Sequence, residues 1–205
     1  MTGSQINAPD AVHFGLADRC IASHHREALL QQLADARWGK GENTDANGVV
    51  NRIMRELEQT SQPVFSELEA PVYQHSPLIR ELMDHDSVEQ IVAAIAAVKS
   101  DNKWFNKAQK TLAHGSPVSV KLIDEQLKRA KHMSLAEVFQ SEMALSVQCC
   151  RHREFPEGCA LLVDKDGQPA WTYPDVASVE QHFIDELLAS PWRRTRLQIY
   201  SKYQT

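Results

Sequence analysis

Long hydrophobic runs are missing from this chain. The longest, Ile91 to Val98, is far too short to cross a bilayer, where a helix needs about 20 apolar residues. The opening residues do not carry the basic-then-apolar pattern of a secretory signal. Cysteine is scarce. Cys20, Cys149, Cys150 and Cys159 are four in 205 residues, too few for a disulfide framework, so a reducing, cytoplasmic setting is favoured. Basic charge is not in excess: Lys and Arg number 22 against 27 Asp and Glu, a net charge of −5. That balance excludes any global attraction to nucleic acid or to an anionic membrane. A Gly-rich phosphate loop, an internal repeat and a low-complexity segment are absent as well, which leaves nucleotide binding without support.

What is present is ordinary for a soluble globular protein: 42% hydrophobic and 24% charged residues, in a chain long enough to bury a real core. The pattern is helical. Pro9 suits a first helical turn, because a proline there loses no hydrogen bond. Ser23 is placed to cap a helix with Leu29, Leu30, Leu33 and Ala34 on one face, ending at Gly39 to Gly41. Another starts near Asp45, with Val49, Val50, Ile53, Met54 and Leu57 at helical spacing. Residues 60–77 contain Pro63, Pro71 and Pro77 and read as irregular.

Three capping boxes are expected, Ser87 with Gln90, Ser134 with Glu137, and Ser178 with Gln181. They precede apolar sets that include Ile91 and Ile95, then Leu135, Val138 and Phe139, then Val179, Phe183 and Leu187. A helix spans Trp104 to Ala113, and Ser116-Pro117 caps one reaching Lys131 with Val120, Ile123 and Leu127 on one face. Strand is expected at most over Ala17–Ala22 and Ala160–Val163. The fold class expected is mainly α.

Some clusters resemble chemistry by residue type. Cys149, Cys150, His152 and Cys159 are zinc-ligand types, but adjacent cysteines do not easily face one tetrahedral ion, so the expectation is buried thiols and no metal. His24-His25 and Asp84-His85-Asp86 are acid–base types at positions that read as polar surface. Trp104-Phe105 and Trp171 read as core or interface anchors. The segment 193–205 holds Arg193, Arg194, Arg196 and Lys202 with no acidic residue, a basic tail.

The order of short motifs is more specific. Ser116-Pro117-Val118-Ser119-Val120-Lys121 is followed by Leu135 to Glu142, Phe155-Pro156-Glu157-Gly158, Leu162-Val163-Asp164-Lys165-Asp166 and Pro169-Ala170-Trp171. This ordered set resembles the C-terminal region of the 3-hydroxyisobutyryl-CoA hydrolases, a branch of the crotonase (enoyl-CoA hydratase/isomerase) superfamily. Thr2-Gly3, Ala8, Asp10-Ala11 and Phe14-Gly15-Leu16-Ala17-Asp18 resemble the segment that follows the catalytic part of that family. One departure is Cys159-Ala160, where members carry a basic residue and the spacing here is one residue short.

The resemblance implies a crotonase-like α/β fold whose β-β-α spiral core is largely absent from this chain. Residues 1–22 would close that core, residues 23–192 would form the C-terminal helical region, and 193–205 the tail. It implies hydrolysis of a β-hydroxyacyl-CoA thioester of valine breakdown. An oxyanion hole and acidic side chains would do that work, both upstream of Met1. No catalytic residue is therefore carried over, and the isolated chain is expected to be inactive. Lys165 is the one binding candidate, near a CoA phosphate. No cofactor is expected beyond coenzyme A as part of the substrate. Expected partners are the acyl-CoA and, through exposed apolar surface, a crotonase core or a second copy, without nucleic acid or membrane. Two alternatives stay open, part of an enoyl-CoA hydratase/isomerase-type enzyme and a non-catalytic helical module that binds a partner.

Overall fold

Helix caps set most of the element boundaries. The computed structural model describes residues 2–39, 45–163 and 167–192, and every regular element among them is helical. The helices are α1 (Ala8–His13), α2 (Arg26–Asp35), α3 (Ala46–Phe65), α4 (Pro71–Gln74), α5 (Ser76–Met83), α6 (Val88–Ala97), α7 (Lys103–His114), α8 (Pro117–Ala130), α9 (Leu135–Arg151), α10 (Glu154–Val163) and α11 (Gln181–Leu188). They divide into two units, Gln5–Glu81, and Leu82–Thr205 together with Met1–Ser4.

In the Gln5–Glu81 unit, Asn7 caps α1, and Gly15 ends it at a φ of +66°, where a side chain would be strained. Asp10 is fully buried. Its carboxylate accepts the Tyr73 N–H at 2.9 Å and the Val72 N–H at 3.3 Å, covering donors that α4 leaves free at its start. His13 stacks on Tyr73 with ring centroids 4.1 Å apart, so α1 holds α4 by both charge and ring. Along α3, Ile53, Leu57 and Ser61 recur every four residues and form the buried face. The Ser61 hydroxyl donates to Leu57 O at 2.6 Å and accepts the Ala22 N–H at 2.9 Å, satisfying a buried polar group with backbone partners.

Three expectations fail in this unit. Ser23 does not cap α2. It opens a 3-10 turn over Ser23–His25, and α2 begins at Arg26 with no side-chain cap. Residues 60–77 are largely helical: Pro63 lies three residues from the start of the α3 C-cap, where few turns remain to be broken, and Pro71 and Pro77 sit in first turns. Ala17–Ala22 forms no strand.

The unit from Leu82 onward is built on α8. Val118, Leu122, Val179, Ile184 and Leu187 make its buried cluster, with Leu145, Cys149, Tyr173, Phe183 and Leu188 packed around it. Beside it, Val88, Ile91 and Ile95 of α6 and Phe105, Ala108 and Leu112 of α7 are also buried. Gln109 closes the end of α6 by donating to Ile95 O at 2.7 Å and Val98 O at 2.8 Å. Lys121 donates to Val179 O at 2.9 Å and pairs with Glu89 at 3.2 Å, joining α8 to α6 and to the loop before α11.

The boxes at Ser87 and Ser134 are formed as expected. The third is not. Asp175 takes the Ser178 N–H at 2.8 Å and Ser178 donates to Asp175 O at 2.8 Å, so a local turn consumes the serine and α11 starts at Gln181. Ala160–Val163 is helix, the last part of α10. The inward face of α8 also differs, with Val118, Val120 and Leu122 buried while Leu127 is 59% exposed. On α9, Leu135 and Phe139 are 71% and 62% exposed.

Replacing Asp10 by Ala strands two backbone donors, and the expected loss is about 3 kcal/mol in urea denaturation, with Asp10→Asn losing less. A loss below about 1 kcal/mol would contradict that role. Glu89's own N–H at the start of α6, then the Ser87 hydroxyl and Lys121, hold its carboxyl below the ordinary value of 4.5, against the opposing effect of burial. A depressed carboxyl binds fewer protons folded than unfolded, so its contribution is present above the ordinary carboxylate range and lost as pH falls through the folded value. Thermal melts from about pH 6 down to about pH 3 should show a decline that Glu89→Gln makes shallower; parallel curves would rule this out.

Candidate functional site

The first turn of α10 carries two carboxylates that face backbone donors. Glu154 accepts the Ser116 hydroxyl at 2.5 Å and the Thr172 N–H at 2.7 Å. Glu157, one turn on, accepts the Ala170 N–H at 2.7 Å, and Arg153 donates to Ala170 O at 3.2 Å. Trp171 lies between these anchors, and its indole N–H donates to His114 O at 3.1 Å. Residues 170–172 thus form a strap fastened on one side to α10 and on the other to the end of α7. Anions at a helix start are favourable in any case, because the first N–H groups there lack partners.

Ser116 links the strap to the core. Its oxygen accepts the Ser119 N–H at 3.2 Å as the cap of α8, while its hydroxyl hydrogen goes to Glu154. One serine therefore fixes both the start of α8 and the start of α10.

Under the strap lies a cleft of about 860 Å³, within the roughly 300–1,000 Å³ usual for small-molecule sites. Val118, Leu122 and Leu187 line it from the core, and Phe155 and Trp171 add aromatic surface. Lys110, His114, His152, Cys149 and Cys159 are among its polar lining. Burial, and then the neighbouring Cys150, raise the Cys149 thiol above its ordinary value of 9.0, so it is a protonated thiol at neutral pH and a poor nucleophile or ligand. His152 meets Phe183 edge-on, with ring centroids 5.3 Å apart.

The sequence candidates fare unevenly. Lys165 lies outside the described residues, as does the basic tail at 193–205. Cys149, His152 and Cys159 do line one cleft, but the expected burial of the thiols fails: Cys149 is only half-buried and Cys150 and Cys159 are exposed, and all four cysteines are free thiols. No group of three or more His, Cys, Asp or Glu is placed to hold a metal among the described residues. His25 meets the Thr60 hydroxyl at 3.2 Å and His24 lies against His25. Trp171 is half-buried on the cleft wall, while Phe105 is core. Glu154 and Lys110 were not singled out from the sequence; only the position of Glu154, directly before Phe155, marked it.

Three of the sequence motifs meet here: Ser116-Pro117, Phe155 to Gly158, and Pro169 to Trp171. Comparison with known proteins identifies the family. The sequence model of enoyl-CoA hydratase/isomerase matches residues 1–188. The chain belongs to that family.

Among its relatives, a mitochondrial 3-hydroxyisobutyryl-CoA hydrolase from Danio rerio is 30% identical over 194 residues, 93% of this chain and 48% of that protein. The small ribosomal subunit protein mS47 of Arabidopsis thaliana is 27% identical over 192 residues, 90% of this chain and 44% of that one. The crystal structure of a carnitinyl-CoA dehydratase from Mycobacterium thermoresistibile matches with a TM-score of 0.71 at 21% identity, over 94% of this chain and 50% of that one. At that identity the likeness is one of fold. The chain spans about half the length of the curated relatives it matches.

Glu154→Ala removes the acceptor for both Ser116 and Thr172. The expected cost is about 1–2 kcal/mol, limited by the exposure of Thr172, with a red shift of Trp171 emission as the strap loosens. Subtracting the emission of matched variants that also carry Trp171→Phe identifies the share that comes from Trp171. Unchanged stability and emission would show that the carboxylate does not fasten the strap.

Proposed function

We propose that this chain acts as the C-terminal helical part of an acyl-CoA thioester hydrolase resembling 3-hydroxyisobutyryl-CoA hydrolase, in valine breakdown. The observation that carries the reading is the meeting of three family-like motifs, far apart in sequence, around one cleft at Ser116, Glu154 and Trp171. The 30% identity to the Danio rerio hydrolase over 93% of the chain supports it.

In this reading the chain supplies binding surface and not proton transfer. The Glu154 and Glu157 carboxylates are engaged by hydroxyl and backbone donors, which suits architecture better than general-base work on a substrate. The oxyanion donors and the acid–base groups would come from polypeptide outside this sequence, and the isolated chain would not turn over thioester. Lys165 is assigned to a CoA phosphate, where an ammonium works as a point charge. The cysteine usage supports a reducing, cytoplasmic compartment, while the name of the Danio rerio relative is mitochondrial.

A second reading has its own support. Leu135 and Phe139 project from α9 one turn apart, both more than half exposed, as a partner-binding module would have them. The ribosomal relative is consistent with a family member serving as an assembly component.

Immunopurification of the native species from source cells, using an antibody against this chain, separates the two. The hydrolase reading expects a mass well above 23.1 kDa and release of CoA thiol from 3-hydroxyisobutyryl-CoA by the captured species, with none by the 205-residue chain alone. Captured material that cleaves no acyl-CoA would overturn it in favour of the module. Fractionation of the same cells assigns the compartment.

A further inference from the structure

The net charge of −5 is not spread evenly, and α7 is where its sign reverses. Lys103, Lys107, Lys110 and His114 are all exposed, and the helix contains no acidic residue. At about 100° per residue these four positions fall within about 60° of the helix circumference, in a row about 16 Å long. Phe105, Ala108 and Leu112 on the other side are buried, so the core holds the row facing outward. None of its lysines pairs with a carboxylate among the described residues. The nearest acids along the chain are Asp101, before the helix, and Asp124 in α8, which already holds Lys128.

Local stability does not account for this row. Like charges one turn apart destabilise a helix. Lys103 also stands at the very start of α7, where the helix dipole disfavours a cation.

One end of the row opens on aromatic surface. Lys110 and His114 line the same cleft as Phe155 and Trp171. Phe155 is 52% exposed, and Trp171 is held by its indole N–H on His114 O. Cations in line beside accessible rings are how single-stranded nucleic acid is held, with phosphates on the cations and bases stacked on the rings. Other polyanions fit less well. Lysine suits phosphate as a point charge, whereas the carboxylates of an acidic protein are matched better by the fork of arginine, which α7 lacks. A helix lying on a membrane presents bulky apolar groups to the lipid, and the apolar side of α7 is spent on the core.

We propose that the outward face of α7 binds single-stranded nucleic acid, with Lys103, Lys107 and Lys110 on its phosphates and Phe155 stacked on a base. The attraction belongs to this face and not to the chain as a whole, and it stands apart from the thioester reading.

The test follows binding of the 205-residue chain to a fluorescein-labelled, unstructured RNA oligonucleotide by anisotropy, from about 50 to 200 mM salt. Each phosphate contact on a single strand contributes about −0.7 to the slope of log K against log salt. Replacing Lys103, Lys107 and Lys110 together by Gln should therefore make the slope shallower by about 2, and replacing all three by Arg should keep it. Phe155→Leu should weaken binding by about fivefold or more with the slope unchanged, because stacking releases no counterions. Melting temperatures of the variants should match that of the parent, since the altered side chains lie at the surface.

A parent chain that does not bind the oligonucleotide overturns the inference. So does binding that the triple Gln variant leaves unchanged, which would assign it to other cations such as Arg193, Arg194 and Arg196. Phe155→Leu binding as tightly as the parent overturns it too. Free CoA, polyglutamate or phosphatidylserine vesicles that displace the RNA as well as unlabelled RNA does, at equal charge, would give the row to a mononucleotide, an acidic protein or a membrane and overturn it likewise. None of these outcomes bears on thioester cleavage by the native species.

Discussion

The burial of α8 on more than one side is the constraint from which the rest of the Leu82-onward unit follows. Pro117, Val118, Val120 and Leu122 are all buried within six positions, which a helix with a single apolar stripe would not do. Neighbours must therefore cover it from different directions. α6, α9 and α11 with its preceding loop provide that cover, and Lys121 locks two of them by bonding Val179 O and pairing with Glu89. An amphipathic lysine suits this position, because its methylene stem can lie along apolar surface while its ammonium meets oxygen. The start of α8 is then the fixed point from which Ser116 reaches Glu154, so the cleft inherits its position from the core.

The remaining apolar surface has a different character. Leu135 and Phe139 lie in the first turns of α9, while Ala144 is buried and Leu145 and Cys149 pack on the core further along the helix. The apolar residues at its start are the ones left exposed. Phe155 on α10, 52% exposed, and Leu127 on α8 add to that surface. Hydrophobic patterning in the sequence cannot tell a face buried in this chain from one left exposed, and that is why Leu127, Leu135 and Phe139 read as core.

Local chemistry was the most legible layer. Asp45, Ser87, Ser116 and Ser134 all sit where a side-chain oxygen meets helix-start N–H groups, because capping needs only residues within one turn of each other. It failed where a nearer competitor existed: Asp175 captures Ser178 before Gln181 can, and the 3-10 turn at Ser23 displaces the start of α2. Proline misled in a similar way. Pro71 and Pro77 look like breakers along the chain, yet in first turns they cost the helix nothing. The buried Asp10 was invisible for another reason, since its partners at Val72 and Tyr73 are more than sixty positions away.

The candidate site shows the same division between what spacing encodes and what only folding reveals. Ser116, Phe155 to Gly158 and Trp171 were recognisable as pieces of a family pattern, but nothing in their order says that they touch. Their contacts explain why those residue types belong together. A carboxylate at a helix start can hold both a cap serine and a strap amide, which a neutral side chain of the same size would hold less tightly. With Glu154 and Glu157 so engaged, residues 170–172 are fastened against the start of α10. In a close-packed protein an unfilled volume persists only where its walls are prevented from closing. Here Trp171 is held by its own indole N–H and by the residues on either side of it, so one wall of the cleft is fixed, and the acids that hold it are structural by the same geometry.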